Sequence, residues 1–312
     1  MPQILVSGSI AYDRIMDFPD FFKNHFLPDK LHSISLSFQV ETVAENFGGT
    51  AGNIAYNLRL MGFAPRIIST AGKDFDRYAT YLRGLGIDPV SVLVNPKKLT
   101  SNAFMMTDKE NNQIAAFSMG AGAGAYTPLP KTDDARCAII GAGCVQDMHM
   151  LPPHYRTAGV PYMFDPGQAL PALSAEDIQG GIIGAAVVFA NDYELGLISQ
   201  KTGWNERLIA EKAGALIVTY GAKGSRVVTH ASDAAVPAIA GVEVVDPTGA
   251  GDAYRGGYIA GYLKDLAPEI CARLGSTLAS FAVEKYGTQN HTPSKEEFAK
   301  RYQAAYKESS PL

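Results

Sequence analysis

The sequence predicts an α/β fold in which helices cover a mostly parallel β-sheet. Short apolar runs alternate with longer segments of helix-compatible composition, which is the pattern of successive βαβ units. The 312 residues are 46% hydrophobic and 19% charged, so the chain can bury a large core as one large domain or two modest ones. Because no linker-like tract or clean boundary interrupts the pattern, we expect a single domain over residues 1–312.

The predicted elements begin with one βαβ-like passage. Residues 4–6 form an apolar run, 54–60 suit a helix, 66–70 a strand, and 77–85 a second helix that ends near Gly86. Four later apolar runs are expected to be buried central strands, because polar or glycine-containing turns follow each of them. These runs are residues 138–140, 162–164, 186–189 and 215–218.

Two intervals depart from the alternation of buried strands and helices, because apolar and polar side chains alternate in them as in half-buried strands. The alternating segments are residues 34–40, 91–94, 103–107 and 113–118. The polar connector at residues 107–113 predicts a hairpin. Together these strands would form a small second sheet, which is either a lid over a ligand site or an edge extension of the main sheet. As a lid it would be discontinuous, from roughly residues 12–46 and 90–119.

Charge and cysteine content exclude several classes of protein. The formal net charge is −4 and Lys and Arg are scattered, so we expect no nucleic-acid partner. The three cysteines form no CxxC pair, which is typical of a reducing compartment. The start of the chain lacks a signal-peptide pattern, and no apolar run approaches the roughly 20 residues of a membrane span. The expectation is a cytoplasmic protein with no membrane partner.

The most informative motif is the run DPTGAGDAYRGG at residues 246–257. A strand-like run at residues 241–245 precedes it, and a helix-compatible segment at residues 254–263 follows. The glycine-rich part of the motif is therefore expected to form the turn between a strand and a helix.

Gly249, Ala250 and Gly251 would place backbone N–H groups at the positive end of a helix dipole. Such a turn stabilises the negative charge of phosphate oxygens, and glycine allows close backbone approach. Asp252 then lies beside the anion, where a carboxylate suits removal of a proton from an attacking hydroxyl. The alternative is an N-capped helix after a glycine turn.

A second glycine cluster, GGTAGN at residues 48–53, precedes another predicted helix. Gly49 would admit a polyhydroxy ligand to the backbone and Asn53 would bind its hydroxyls, although such a run is also a common helix start. Asp13 follows the first strand and would lie at the carboxyl edge of the sheet, where α/β folds bind ligands. It could accept two hydroxyl protons from a diol or simply be solvated.

Asn191 and Glu194 follow the buried run at residues 186–189 and share the first turn of a predicted helix. Their oxygens suit a partly hydrated Mg²⁺, while Asn followed by Glu three residues later also forms a capping box. Both roles can coexist. The segment TYGAKGS at residues 219–225 follows another strand and is either a phosphate-contacting loop or a hairpin turn.

These motifs resemble those of the ribokinase-like, or PfkB, family of carbohydrate and nucleoside kinases. The resemblance rests on GGTAGN at residues 48–53, NDYE at residues 191–194 and the run at residues 246–257, in that order. It implies a three-layer α/β core with a small β lid. It also implies that Asp252 is the base for a substrate hydroxyl that attacks the γ-phosphate of ATP, and that lid closure excludes water.

The same resemblance implies roles for the other candidates. Gly249, Ala250 and Gly251 would form the anion hole, Asn191 would contact phosphates, and Glu194 would hold Mg²⁺. The nucleotide would bind at Thr219, Gly221, Gly224 and Thr248. The substrate would bind at Asp13, Gly48, Gly49 and Asn53. Part of the family is activated by K⁺, for which the loop at residues 246–248 is the candidate.

The choice of substrate depends on fewer residues. The chain looks more similar to microbial nucleoside kinases of the adenosine kinase type than to fructokinases at residues 7–13, at Phe38 and at Asn112-Gln113. Phe38 would stack on a purine base and Gln113 would bind its edge, or both would be lid-packing or turn residues. The alternatives are a ribokinase or other sugar kinase, or a non-catalytic nucleoside sensor. Either a monomer or a homodimer is compatible with the sequence.

Overall fold

The computed structural model describes residues 3–26, 35–110 and 112–312. Fourteen strands lie within those residues. They are β1 (Gln3–Ser7), β2 (Ala11–Asp17), β3 (Thr42–Gly48), β4 (Pro65–Ile68), β5 (Thr70–Gly72), β6 (Leu93–Asn95), β7 (Ser101–Thr107), β8 (Gln113–Ser118), β9 (Ala135–Ile140), β10 (Tyr162–Phe164), β11 (Val187–Asn191), β12 (Ala215–Thr219), β13 (Ser225–Thr229) and β14 (Asp233–Val236).

The α-helices of the same residues alternate with these strands. They are α1 (Thr50–Leu60), α2 (Asp76–Gly84), α3 (Val145–Ala158), α4 (Ala175–Ile182), α5 (Asp192–Thr202), α6 (Glu206–Lys212), α7 (Ala250–Tyr262), α8 (Pro268–Ala282) and α9 (Lys295–Tyr306). In the described part of the chain, none of the helices combines the length and apolar character needed to cross a membrane.

The main sheet has eight strands in the order β14-β13-β12-β11-β10-β9-β1-β4. The strands from β12 to β4 are parallel, whereas β13 and β14 are added antiparallel at one edge. The carboxyl ends of the six parallel strands therefore meet at one edge of the sheet. That edge is where open α/β folds bind ligands.

The buried side chains of the main sheet point alternately to two helical layers. Ile4 and Val6 pack with residues of α1, α2, α7 and α8 on one face. Leu5 packs on the other face with residues of α3, α4, α5 and α6. This period of two is expected of a sheet that is covered on both sides, and it confirms the predicted α/β class.

The small sheet has the order β3-β2-β7-β8. Strand β2 continues from β1 after a short turn, and it pairs with β3 antiparallel and with β7 parallel. Strands β7 and β8 form the predicted hairpin. The small sheet therefore extends from the ligand-binding edge of the main sheet.

Two strand predictions were wrong, and a third was confirmed only in part. Residues 35–40 form no strand, and residue 34 lies outside the described residues. The segment at residues 91–94 contributes only to β6, which pairs with β5 rather than with the small sheet. Residues 241–245 form no strand, and at the end of this segment the N–H groups of Val245 and of the following Asp246 both donate to the carbonyl of Val283, just after α8.

Candidate active site

A cleft of about 580 Å³ lies at the carboxyl edge of the main sheet, bordered by the small sheet. Most of the site residues predicted from sequence line it. These are Asp13, Gly49, Asn53, Asn191, Glu194, Thr219, Gly221, Thr248, Gly249, Gly251 and Asp252. The structure thus brings together residues from four separate motifs and Asp13, which lies on β2.

Four of the predicted residues with described side chains do not line this cleft. Gly48 lies behind Asp13, and Ala250 and Gly224 line a neighbouring pocket. Phe38 packs in an aromatic cluster, with its ring centroid 4.9 Å from that of Phe18. Gln113 begins β8, and its side chain lies outside the described part of the structure.

The turn before α7 is held in place by Asp246. One oxygen of its carboxylate accepts the Thr248 N–H at 2.9 Å, and the other accepts the Gly287 N–H at 3.0 Å. Gly249 caps α7 with a φ of 78°, a left-handed conformation that glycine adopts without strain. The helix therefore begins at Ala250, four residues earlier than predicted, so residues 250 and 251 belong to its first turn.

The first turn of α7 offers donors to an anion. The Ala250 N–H donates to the carbonyl of Pro247 at 3.2 Å. Within the described residues, the N–H groups of Gly251 and Asp252 have no acceptor from the protein. Since these groups lie at the positive end of the helix dipole, they can bind phosphate oxygens.

Asp252 lies in the first turn of α7, and its Oδ2 accepts a hydrogen bond of 2.7 Å from Asn53 Nδ2. Burial raises the pKa of its carboxyl to about 7, and the negative charges of Asp165 and Asp13 act in the same direction. The hydrogen bond from Asn53 and the charge of Arg255 oppose that rise in pKa. A carboxyl with a pKa near neutrality is suited to accept a proton from a hydroxyl.

Asp13 lies on β2, and burial together with the nearby charge of Asp246 raises the pKa of its carboxyl to about 6. A Cβ at Gly48 would lie 2.1 Å from Asp13 Oδ2, so glycine at this position makes room for the carboxylate. Gly49 has a φ of 86°, and its Cβ would lie 2.5 Å from the carbonyl oxygen of Ser9. Gly48 and Gly49 are therefore required by close contacts.

Asn191 and Glu194 form a capping box at the start of α5. Asn191 Oδ1 accepts the Glu194 N–H at 2.7 Å, and Glu194 Oε2 accepts the Asn191 N–H at 2.8 Å. Both residues also line the cleft. Burial and the nearby charge of Asp165 raise the pKa of the Glu194 carboxyl, so a bound cation would stabilise its ionised form.

These donors fit Mg²⁺ as a partner of the phosphates. Glu194 presents a carboxylate to the cleft, and Asn191 lies beside it. In the described part of the chain, no group of three His, Cys, Asp or Glu side chains could hold a metal ion by itself. Mg²⁺ commonly takes one or two carboxylates and completes its coordination with water and substrate phosphates.

Sequence reasoning missed the ion pair between Asp165 and Arg255, which also lines the cleft. Asp165 directly follows β10. A polar residue at the end of a buried strand was the signal that pointed to Asn191, and it applies equally to Asp165. Arg255 lies inside the predicted motif but carried no separate signal.

A second pocket of about 620 Å³ adjoins the cleft and is mainly apolar. Its walls include the loop after β12, the segment at residues 238–247 and the side of α8. Thr219, Gly221 and Gly251 line both cavities, so the two spaces meet at the start of α7. Gly224, which has a φ of 93°, lines the second pocket but not the cleft.

Comparison with known proteins agrees with this arrangement. A model of the pfkB family of carbohydrate kinases matches residues 1–295. The chain belongs to this family. A pfkB-family fold accounts for both the mostly parallel main sheet and the small sheet beside the cleft.

Relatives of this pfkB-family chain include nucleoside kinases. The nucleoside kinase of Methanocaldococcus jannaschii is 31% identical over 304 residues, which span 96% of this chain and 97% of that protein. The structure of Burkholderia thailandensis nucleoside kinase in complex with inosine is similar, with a TM-score of 0.86 and 36% identity. That similarity covers 98% of this chain and 99% of the other. A ribokinase from Thermotoga maritima, at 20% identity and a TM-score of 0.81, shares the fold.

Proposed function

We propose that this chain transfers the γ-phosphoryl group of ATP to the 5′-hydroxyl of a nucleoside with a purine base. The observation that carries the proposal is the position of Asp252, which lines the cleft beside Gly251, where the cleft meets the apolar pocket. Within the described residues, the N–H groups of Gly251 and Asp252 have no protein acceptor. The nucleoside kinases that match nearly the whole chain support the choice of substrate class. The B. thailandensis relative has been solved with inosine and with ADP-inosine.

In this proposal Asp252 accepts the proton of the 5′-hydroxyl as its oxygen attacks the γ-phosphorus. The bond between that phosphorus and the bridging oxygen breaks, and ADP leaves. The N–H groups of Gly251 and Asp252 stabilise the charge on the transferred group. Because these N–H groups already point at the phosphate before the reaction begins, they need no reorganisation at the transition state.

The apolar pocket would take the adenine ring of ATP, because Ala279, Val283 and Tyr254 form its walls. Thr219 and Gly221, which line both cavities, would then lie along the phosphate chain. Glu194 and Asn191 would hold Mg²⁺, which neutralises phosphate charge when it is bound. K⁺ activation through residues 246–248 stays a prediction.

The nucleoside would lie in the polar cleft. Asp13 is positioned to accept hydrogen bonds from ribose hydroxyls, while Gly49 leaves room for the sugar. We propose that Phe117 and Gln168, which line the cleft, contact the base. Phe117 takes the stacking role that was predicted for Phe38, whereas binding of the base edge by Gln113, whose side chain lies outside the described residues, stays a prediction.

We further propose that the small sheet acts as a lid. Ala103 and Met105 of β7 and Phe117 of β8 face the cleft, so movement of this sheet toward α7 would enclose the sugar. Enclosure excludes water, which would otherwise compete with the 5′-hydroxyl for the phosphoryl group.

A substrate panel tests the proposed function. Adenosine, inosine, guanosine, cytidine, ribose and fructose are each incubated with Mg-ATP, ADP formation is measured, and the phosphorylated position is assigned by ³¹P–¹H NMR. We expect turnover of purine nucleosides to 5′-monophosphates. Phosphorylation of ribose but of no nucleoside would overturn the proposal in favour of a sugar kinase, and ligand binding without turnover would favour a sensor.

A further inference from the structure

The segment between α8 and α9 carries a buried glutamine that the proposed mechanism does not use. Gln289 is 5% exposed. Its Nε2 donates to two acceptors, Asn53 Oδ1 at 2.9 Å and the hydroxyl of Tyr78 at 2.7 Å. Because Asn53 in turn contacts Asp252, Gln289 is one residue removed from the proposed base.

The direction of every hydrogen bond in this chain of contacts is determined by one backbone carbonyl. The Gly48 carbonyl can only accept, so the Tyr78 hydroxyl must donate its single proton to it, over 2.9 Å. The Tyr78 oxygen can then only accept from its other neighbour. Gln289 must therefore present its NH₂ group rather than its oxygen.

The same reasoning extends to the carboxylate. The second hydrogen of Gln289 Nε2 is donated to an acceptor, so Asn53 must turn its Oδ1 toward Gln289. The Nδ2 of Asn53 then faces Asp252 Oδ2, at 2.7 Å. With the amide reversed, Asn53 would place an oxygen against the carboxylate, which is repulsive when Asp252 is ionised.

We propose that Gln289 is a positioning residue. Because the Gly48 carbonyl can only accept, Tyr78 and Gln289 together fix the orientation of the Asn53 amide, so that its N–H donor faces Asp252. The inference rests on the proposed role of Asp252 as the base. A donor that faces the carboxylate stabilises its ionised form, which is the form that accepts the substrate proton.

The relay begins at the small sheet. Gly48 is the last residue of β3, and it precedes Gly49, which lines the cleft. The residue beside Gln289 contacts the same strand, since Thr288 Oγ1 donates to the Phe47 carbonyl at 3.0 Å. Displacement of the end of β3 would break the hydrogen bond from Tyr78 to the Gly48 carbonyl, and the Asn53 amide would no longer be held in one orientation. The position of the small sheet is thereby linked to the state of Asp252.

The charged groups that influence Asp252 are Asp13, Asp165 and Arg255. None of them contacts Gln289 directly in the described part of the chain. A change at position 289 therefore leaves these charges in place, and its effect on Asp252 passes through Asn53.

Two substitutions test the relay. Gln289→Met has a similar length but no donor, and Gln289→Glu replaces the donor by an acceptor and favours the reversed Asn53 amide. For each variant, kcat/KM is measured against pH with inosine and Mg-ATP. We expect the acid limb of the profile to move upward by about one pH unit in Gln289→Glu and by less in Gln289→Met. A shift of one unit is a tenfold loss of kcat/KM on that limb. The loss should disappear at alkaline pH.

Because Gln289→Met introduces no charge, an upward shift in that variant cannot come from repulsion by a new carboxylate. The matched control is His291→Leu. His291 is also buried, and its Nε2 lies 2.7 Å from Asn57 Oδ1, one turn further along α1 than Asn53. This variant should lose stability without a shift of the acid limb.

A second measurement separates the relay from the role of Asp252 in catalysis. The ¹³C resonance of the Asp252 carboxyl, assigned by its loss in Asp252→Asn, is titrated in the wild type and in both Gln289 variants. We expect a higher pKa of Asp252 in the variants whether or not Asp252 is the base. An unchanged Asp252 titration and an unchanged acid limb in both variants would overturn the relay and leave Gln289 a structural residue.

Discussion

Arg255 and Asp165 form a two-point ion pair at the floor of the cleft. Arg255 Nη2 lies 2.9 Å from Asp165 Oδ1, and Arg255 Nε lies 3.0 Å from Asp165 Oδ2. Both side chains are 7% exposed. Arg255 lies one helical turn after Asp252, so the pair anchors the first turn of α7 to the end of β10.

Removal of the arginine should destabilise the protein strongly. Arg255→Met leaves the Asp165 carboxylate buried without its partner, and breaking a buried pair in this way costs about 3–5 kcal/mol of the free energy of unfolding. The control is Arg273→Met, which breaks the more exposed pair with Glu308 and should cost about 1 kcal/mol or less. Urea unfolding measures the free energy of unfolding of both variants, and equal losses would contradict a larger contribution of the buried pair.

The two glycines at positions 49 and 62 provide a matched test of close packing at the cleft. Their φ values are 86° and 85°, but a Cβ at Gly49 would lie 2.5 Å from the Ser9 carbonyl, whereas one at Gly62 would meet nothing within 4 Å. Gly62→Ala should cost about 1–3 kcal/mol from backbone strain alone. Gly49→Ala should cost more and weaken inosine binding in calorimetry. Similar losses in both would show that the contact with Ser9 has no effect.

Ala279 tests the assignment of the apolar pocket to ATP. A leucine at this position would occupy part of the pocket, so we expect the KM for ATP to rise about tenfold, which corresponds to about 1.4 kcal/mol, with little change in the KM for inosine. Ala304→Leu, at an exposed position of α9, is the control. A rise in the KM for inosine alone would place the nucleoside, rather than ATP, in this pocket.

The stability of the protein should depend on the charge of Asp252. Its pKa is 3.8 in the ordinary case and about 7 in the fold, so between these values the folded state binds the proton that the unfolded state has lost. Stability therefore falls as pH rises from about 4 to about 7, by about 1.4 kcal/mol for each unit of the difference in pKa. Asp252→Asn should remove this part of the pH dependence in urea unfolding. Asp133→Asn, at an exposed position, should retain it.

Several elements could be predicted from the sequence because their signal is local. The run at residues 162–164 became β10 with the same bounds, and residues 215–218 became most of β12. Continuous apolar residues between polar turns have few alternatives to a buried strand. Residues 241–245 carried a similar signal but form no strand. The carbonyl of Val283 accepts the N–H groups of Val245 and Asp246, and no local pattern in the sequence reveals that contact.

The site divides in the same way. Asn191 could be found because it ends β11, and Asp13 because it follows β1 by only a few residues, so both lie at the carboxyl edge where a parallel sheet gathers polar residues. Arg255 and Gln289 could not, since their partners Asp165 and Asn53 are 90 and 236 positions away. Phe38 was predicted to contact a base, but its ring packs with that of Phe18, the residue directly after β2.

The most direct test of the account is the turnover of Asp252→Asn with inosine and Mg-ATP. Asparagine preserves the shape of the side chain but cannot accept the proton as a carboxylate does. We expect kcat to fall by about 10²–10⁴-fold, the usual contribution of a general base, with inosine affinity retained in calorimetry. Turnover that stays at the wild-type rate would contradict the assignment of Asp252 as the base, and with it the proposed mechanism.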